Sequence, residues 1–313
     1  MPFTELANEW HLDKTLLDLC GIGLEPGLRA LYQNDHQSAF VAYIQQIAKL
    51  TAADIAGINQ QLGAIFHGLT PSVTVPEVED FNSAGVEDSN PAAVLSESQL
   101  NFWQSEGYLM IPQVLTAEQC AATRDFIWQQ LGANEQDPTT WYQPHEFMQK
   151  IMLQLFRHPQ LDANRQVPKI RQVFEQLWQR TDLVMTTDRV SFNPPETPTW
   201  HFPGPDMHWD MPLQLPVKFA TQGLIYLTDT SAEQGAFCCV PGFHLKIEEW
   251  LLEQNKPDIE LQQQDWHRWQ VKPIAAKAGD LIIWHHALPH GASPNRGTLP
   301  RMVQYINFYP MAS

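Results

Sequence analysis

Apolar positions along the 313-residue chain change their period twice. Over residues 1–70 the spacing is helical: Phe40, Tyr43, Ile44 and Ile47 share one face, and Thr51 caps a further segment that ends near Gly68. Residues 71–95 (PSVTVPEVEDFNSAGVEDSNPAAVL) show no period, and their Pro, Ser and acidic content is that of a linker. Ser96 with Gln99 then reads as a capping box for a helix to Glu106, with Gly107 as its stop and a strand over residues 108–111. Thr116 and Gln119 repeat the device for a helix ending near Gly132, and further helices are expected over residues 145–156 and 169–180. After Asp182 the period shortens to two and turn residues become dense, which predicts strands over residues 183–192, 223–228, 236–240, 280–284 and 302–309. The expected fold is mainly β with flanking helices. A double-stranded β-helix (jelly roll) core occupies residues 96–313, preceded by an N-terminal helical extension (1–70) and an acidic Pro-containing linker (71–95). The N-terminal helices carry apolar faces and are expected to pack against the barrel.

Composition narrows the partners. Lys and Arg total 19 against 35 Asp and Glu, a formal charge of −16, so neither nucleic acid nor an anionic membrane is expected as the main partner. No Lys or Arg falls between Lys49 and Arg124, which leaves the linker's acids as a solvated tether. Cys20, Cys120, Cys238 and Cys239 form no disulfide or zinc spacing, which fits a reducing compartment. No signal pattern opens the chain, and no apolar run nears the roughly 20 residues of a membrane span. A soluble, cytoplasmic protein is expected, of open oligomeric state.

The candidate chemistry lies in two pieces. In His208-Trp209-Asp210 the outer residues are two apart, so on a strand an imidazole and a carboxylate would project from one face. His290 can complete a two-His, one-carboxylate facial triad, which leaves positions open on Fe(II). His285 and His286 are rival third ligands, though adjacent residues on a strand face opposite sides; Arg301 lies eleven residues past His290. A return strand would bring the Arg301 guanidinium behind the metal, where a dicarboxylate co-substrate needs an anchor. His11-Leu12-Asp13 also fits the spacing but has no partner motif, and His201 reads as a loop histidine.

Several ordered stretches between residues 96 and 313 carry a resemblance. They are SESQLNFWQSEGYLMIPQVLTAEQC, the HWD segment, QGLIYLTDTSAEQGAFCCVPGFH, and GDLIIWHHALPHG through Asn295 to Arg301. Together they resemble the phytanoyl-CoA dioxygenase family of Fe(II)/2-oxoglutarate oxygenases. The resemblance implies Fe(II) on His208, Asp210 and His290, with 2-oxoglutarate as co-substrate and its far carboxylate on Arg301. It also implies O2 as second substrate and hydroxylation of a C–H bond in a small-molecule or thioester-linked substrate, with succinate and CO2 as co-products. Halogenating relatives lack the carboxylate that Asp210 retains here, so hydroxylation is the expected outcome. Many relatives carry a hydroxyl residue two positions after the distal histidine. Here Ala292 stands there, and Ser293 is the expected substitute as a co-substrate contact. The remaining contacts fall on residues 186–193 without assignment by spacing. Lys169, Arg171 and Arg180 read as a solvated helix face, with phosphate binding as the minor alternative. A cupin-like metalloprotein using the same triad without 2-oxoglutarate is the competing reading.

Overall fold

The computed structural model describes residues 14–24, 26–27, 51–66, 93–254 and 258–310. The helical spacing around Phe40 to Ile47, most of the acidic linker and the His11–Asp13 pair lie outside the described residues. Besides helical residues 14–19, the helices among the described residues are α1 (Ala52–Phe66), α2 (Glu97–Glu106), α3 (Ala117–Leu131), α4 (Pro159–Arg165), α5 (Pro168–Trp178), α6 (Ile247–Glu253) and α7 (Asp258–Leu261). The strands are β1 (Tyr108–Ile111), β2 (Met148–Gln149), β3 (Met152–Leu153), β4 (Leu183–Met185), β5 (Val190–Asn193) and β6 (Thr221–Tyr226). They continue with β7 (Phe237–Cys239), β8 (Lys272–Ile274), β9 (Leu281–His285), β10 (His290–Ala292), β11 (Arg301–Tyr305) and β12 (Phe308–Pro310).

A seven-stranded sheet runs β1-β9-β6-β11-β5-β3-β2, a three-stranded sheet runs β10-β7-β8, and β12 pairs β4. The ladders within them are antiparallel. This is the two-sheet jelly-roll core expected from the period-two stretch. The large sheet is buried on both faces, so its central strands are buried at nearly every position and hold consecutive apolar runs such as residues 224–226 and 281–284. Ile225, Leu227, Leu281, Ile283 and Met302 point outward to a cluster with Phe126, Ile127, Val173 and Phe174 of α3 and α5. Their neighbours Leu224, Tyr226, Ile282, Trp284 and Val303 point inward to Phe237 and Cys239 of the small sheet. Each such side chain taken from water contributes roughly 1.5–3 kcal/mol. A one-residue slip of β6 or β9 would exchange the two sets, which fixes the register and with it every residue carried on the inner face.

Both capping boxes form as expected: Ser96 with Gln99 and Thr116 with Gln119 each satisfy two backbone N–H groups, and Gly107 and Gly132 close the helices in the left-handed region. Thr51 caps α1 through Asp54. The helix expected over residues 145–156 is instead the hairpin β2–β3. Ile151, Leu153 and Leu155 are buried at alternate positions, a period of two masked by the neighbouring Met and Phe residues. The strands expected over residues 183–192 and 302–309 each break in two. At residues 186–189 the backbone bonds elsewhere: Thr187 donates its N–H to Asp18, and the Asp188 carbonyl accepts from Arg165. Leu95, placed in the linker by sequence, is buried and accepts into its carbonyl from Gln176, so the core begins at or before it.

The described stretch around Asp18 packs on the barrel. Residues 14–19 are helical, and Asp18 accepts from the Thr187 N–H (2.9 Å) and the Tyr309 hydroxyl (2.9 Å) while pairing with Lys14 (2.7 Å).

Candidate metal centre and co-substrate pocket

His208, Asp210 and His290 come together. One donor atom from each lies within 4.8 Å of the others, and all three line a cavity of about 990 Å³. His208 is not in a strand. It forms an isolated two-way bridge with His290, at the head of β10 (His208 N to His290 O 2.8 Å, the reverse 2.9 Å). Trp209 explains the direction of its neighbours. Its ring is 3% exposed and sits among Phe243, Trp250, Trp266 and Trp269, with its indole N–H on the Ala287 carbonyl and its backbone held at both ends by Gln262. With Trp209 driven into that aromatic cluster, His208 and Asp210 turn the other way, into the cavity. Gly291 follows from the same approach: a Cβ there would lie 2.7 Å from the Asp206 carbonyl oxygen, so any side chain would push the loop carrying His208.

The hydrogen bonds fix the tautomers. His208 Nδ1 faces the Asp206 carbonyl at 2.6 Å and His290 Nδ1 faces the Leu288 carbonyl at 3.0 Å. A carbonyl only accepts, so each Nδ1 carries the proton and each Nε2 is left as an acceptor. Those Nε2 atoms meet Asp210 at 3.2 Å (His208) and 3.3 Å (His290). Three converging acceptors are stable only around positive charge, either a proton or a metal cation. The electrostatics agree. Burial works against charge on Asp210, but hydrogen bonds from His208 and His290 and the charge on those rings outweigh it and hold the carboxyl well below the usual carboxylate range. Burial also opposes charge on His208, yet the Asp210 hydrogen bond and charge raise it overall. The donor set, two imidazoles and one carboxylate, therefore fits a divalent transition metal.

The rival histidines are engaged elsewhere. His286 Nε2 meets the Lys218 carbonyl, and His285 lies edge-on to Phe219 and His286 and tilted against His244 while its Nδ1 accepts from the Ala287 N–H. Burial, with His244 and His286 nearby, pushes His285 down to about 3. His201 is exposed and is not among the cavity residues.

Arg301 opens β11, opposite Asn193 of β5, and lines the same cavity. It is 1% exposed, and its Nη1 donates to Ser191 Oγ at 3.0 Å. Its Nε has no partner, and no carboxylate pairs with it among the described residues. The Tyr226 ring lies 5.9 Å from the guanidinium carbon. Burial pushes the Tyr226 phenol up to about 12, with the Arg301 charge as partial counterweight. A buried guanidinium with unmet donors costs free energy unless an anion completes it. Ser293 lies apart from this arrangement. Its hydroxyl donates to the Ala236 carbonyl at 3.4 Å, and Ala292, not Ser293, lines the cavity. Two hydroxyls meet Arg301: Tyr305, and Ser191, which lies within the stretch that spacing could not resolve. Lys169 and Arg171 meet backbone carbonyls and Glu175, whereas Arg180, paired with Asp182, reaches the cavity wall.

Two contributors had no sequence signal. Gln222 of β6 donates to Asp210 Oδ2 at 2.7 Å, and Lys14, Asp18 and Leu24 of the N-terminal segment complete the cavity wall.

The family model described as Phytanoyl-CoA dioxygenase (PhyH) matches residues 103–303. The chain belongs to the phytanoyl-CoA dioxygenase family. Within that family it is similar to a protein named Putative phytanoyl-CoA dioxygenase of Dictyostelium discoideum, 22% identical over 298 residues, spanning 79% of this chain and 84% of the relative. Among solved structures its fold is similar to the non-heme alpha ketoglutarate dependent carbocyclase SnoK from nogalamycin biosynthesis, at 21% identity and TM-score 0.51, covering 72% of this chain and 90% of that one. The epimerase SnoN, in complex with Fe3+, alpha ketoglutarate and nogalamycin RO, matches at 18% identity and TM-score 0.51 over 71% of this chain and 85% of its own. EctD from S. alaskensis with bound Fe matches at 16% identity and TM-score 0.51, over 71% and 80%.

Proposed function

We propose that the protein is an Fe(II)- and 2-oxoglutarate-dependent dioxygenase that hydroxylates a C–H bond of a small-molecule or thioester-linked substrate, with succinate and CO2 as co-products. The observation that carries the reading is the pairing, in one cavity, of a three-acceptor cluster fit for a cation with a buried arginine that lacks an anion. His208, Asp210 and His290 hold the iron, and the family membership together with the iron and alpha ketoglutarate named for SnoN supports that choice of metal and co-substrate. When bound, the iron supplies O2 activation coupled to loss of CO2 from 2-oxoglutarate.

The chain's own residues do the rest. Each histidine presents a bare Nε2 because its Nδ1 proton is committed to a backbone carbonyl. Arg301 takes the co-substrate's far carboxylate through charge-assisted hydrogen bonds, with Ser191 steering the guanidinium from behind. Ser293, kept at a distance by its bond to Ala236, contributes through the backbone around Arg301 at most: its carbonyl accepts from Asn193, the residue opposite Arg301. Phe237, Trp284, Phe219, Phe156 and Met152 give the cavity apolar walls that exclude water near the reacting C–H bond, and about 990 Å³ leaves room for a substrate besides 2-oxoglutarate. Residues 96–313 form the catalytic domain. The N-terminal segment is an accessory that closes the cavity, reached through the acidic linker.

Anaerobic Fe(II) titration with and without 2-oxoglutarate tests the reading. A weak visible band that appears only when both are present, followed by O2-dependent succinate formation, is the expected result. Metal binding that 2-oxoglutarate leaves spectroscopically unchanged, with no succinate formed, would move the assignment to a cupin-like metalloprotein. Product analysis by mass, reading the gain of one oxygen, separates hydroxylation from the epimerase and carbocyclase outcomes named for the structural neighbours.

A further inference from the structure

We infer that Gln222 is a positioning residue that sets the rotation of the Asp210 carboxylate, and that Trp284 aims the Gln222 amide. The inference deepens the metal-centre reading and rests on it. Asp210 needs such a partner. It sits on a loop outside the sheets and its side chain is 51% exposed toward the cavity, so neither packing nor a ladder fixes its torsion. The two imidazoles beside it cannot fix it either. With each Nδ1 proton committed to a carbonyl, their Nε2 atoms have nothing to donate once they serve a cation. Among the described residues the remaining hydrogen-bond donor on this carboxylate is the Gln222 amide, 2.7 Å from Oδ2.

The direction of that amide follows from chemistry. A carboxylate only accepts and an indole N–H only donates. Gln222 stands between the two: its Nε2 reaches Asp210 Oδ2, and its Oε1 receives the Trp284 indole N–H at 3.0 Å. A flipped amide would set oxygen against oxygen at one end and N–H against N–H at the other, so only one orientation satisfies both neighbours. The sheet builds the relay. Gln222 on β6 lies directly opposite Trp284 on β9, so both side chains leave the same face toward the cavity. Trp284 is itself immobile, 2% exposed and packed on Phe237 with ring centroids 4.5 Å apart. A rigid indole thus orients an amide, and the amide ties Asp210 Oδ2, which also faces His290 at 3.3 Å, while Oδ1 faces His208 at 3.2 Å. The tied oxygen favours one-oxygen ligation by Asp210, so that a bound metal keeps its other positions for co-substrate and O2.

Partners of this kind behind metal ligands change metal affinity about 10- to 100-fold when removed. The test is anaerobic Fe(II) titration of the full-length protein by calorimetry, with melting temperature recorded for each variant. Gln222→Leu is expected to weaken Fe(II) binding about 10- to 100-fold, and Gln222→Met, of similar length and equally without a donor, should repeat the loss if the Leu variant folds poorly. Trp284→Phe is expected to weaken binding in the wild-type background. In the Gln222→Leu background it should add less than about twofold, because its effect passes through the amide. An equal loss in both backgrounds would show that Trp284 acts through its packing on His290 and would overturn the relay. Wild-type affinity in both Gln222 variants, with His208→Ala losing the metal, would overturn the inference and leave the metal centre standing. Wild-type affinity in His208→Ala as well would overturn both.

Discussion

Replacing Arg301 by Ala removes a guanidinium that the cavity buries at 1% exposure, with the Ser191 and Tyr305 hydroxyls as hydrogen-bond partners and with its Nε unmet. Two effects compete in such a variant. Stability changes little for the loss of an ion, because no carboxylate partner is stranded by it; the cost is a void beside Tyr226 and one unpaired serine hydroxyl, about 1–3 kcal/mol for the latter. Co-substrate binding changes much more. A buried charge pair that loses one partner costs about 2–5 kcal/mol, which at about 1.4 kcal/mol per decade is a roughly 30-fold to several-thousand-fold weaker hold on 2-oxoglutarate. Fe(II) affinity should stay near wild type, since Arg301 is not one of the three clustered donors. Arg301→Lys should recover part of the loss, because an ammonium keeps the charge but cannot reproduce the planar fork. Succinate formation against 2-oxoglutarate concentration reads the effect as a steep rise in KM, and the anaerobic Fe(II) titration supplies the control. An unchanged KM in Arg301→Ala, in protein that still melts cooperatively, would refute the assignment of Arg301 and the strongest reason for naming 2-oxoglutarate at all.

The third ligand is tested by comparing two histidines: His290→Ala should abolish Fe(II)-dependent turnover in soluble protein, while His286→Ala, which loses only a bond to the Lys218 carbonyl, should keep Fe(II) binding; the opposite pattern would reassign the ligand. Acid stability should carry the mark of His285, whose folded value of about 3 lies below the roughly 6.5 of an unfolded chain. Because the unfolded state alone binds that proton between the two values, stability is complete above about pH 6.5 and falls on acidification by up to about 1.4 kcal/mol per pH unit, and His285→Gln should flatten that slope in denaturant titrations at stepped pH. A slope unchanged by the substitution would place the acid sensitivity elsewhere. Asp18→Ala strands the buried Thr187 N–H, at about 1–3 kcal/mol, and should lower the melting temperature by several degrees; a variant that melts like wild type would show that the N-terminal segment does not brace the barrel.

The parts of this protein legible in its sequence are those in which neighbouring residues settle the matter. Capping boxes at Ser96 and Thr116 are closed within four residues, and they form as read. Strands β6, β9 and β11 announce themselves by consecutive apolar residues at 224–226, 281–284 and 302–303, because helices cover one face of the sheet and the small sheet covers the other. The His208, Asp210 and His290 cluster was legible for a different reason. Two imidazoles and a carboxylate in this order, followed by an arginine, have few other uses, and their convergence needs only that β10 and the 208–210 segment meet, which the two-way bridge accomplishes. The hairpin at 148–153 was lost because Met, Ile, Leu and Phe crowd it so densely that helical and strand periods both fit. Only the burial of Ile151, Leu153 and Leu155 decides between them.

What could not be read are the relations that tertiary register creates. Gln222 matters because β6 sets it opposite Trp284, 62 residues away, and no local pattern distinguishes it from any other polar residue at a strand end. The same holds for Ser191, which meets Arg301 from 110 residues off, and for Asp18, whose bond to Thr187 spans 169. Ser293 shows the same limit: the resemblance offers it as the substitute for a hydroxyl at Ala292, but a position in the chain does not say where the hydroxyl turns, and here it faces the Ala236 carbonyl. Ligand atoms are recruited by short motifs, while the hydrogen bonds that hold them at an angle are recruited across strands. Candidate ligands can therefore be picked out by several short motifs taken together, but how firmly the Asp210 carboxylate is held depends on residues that only the packed sheet brings beside it.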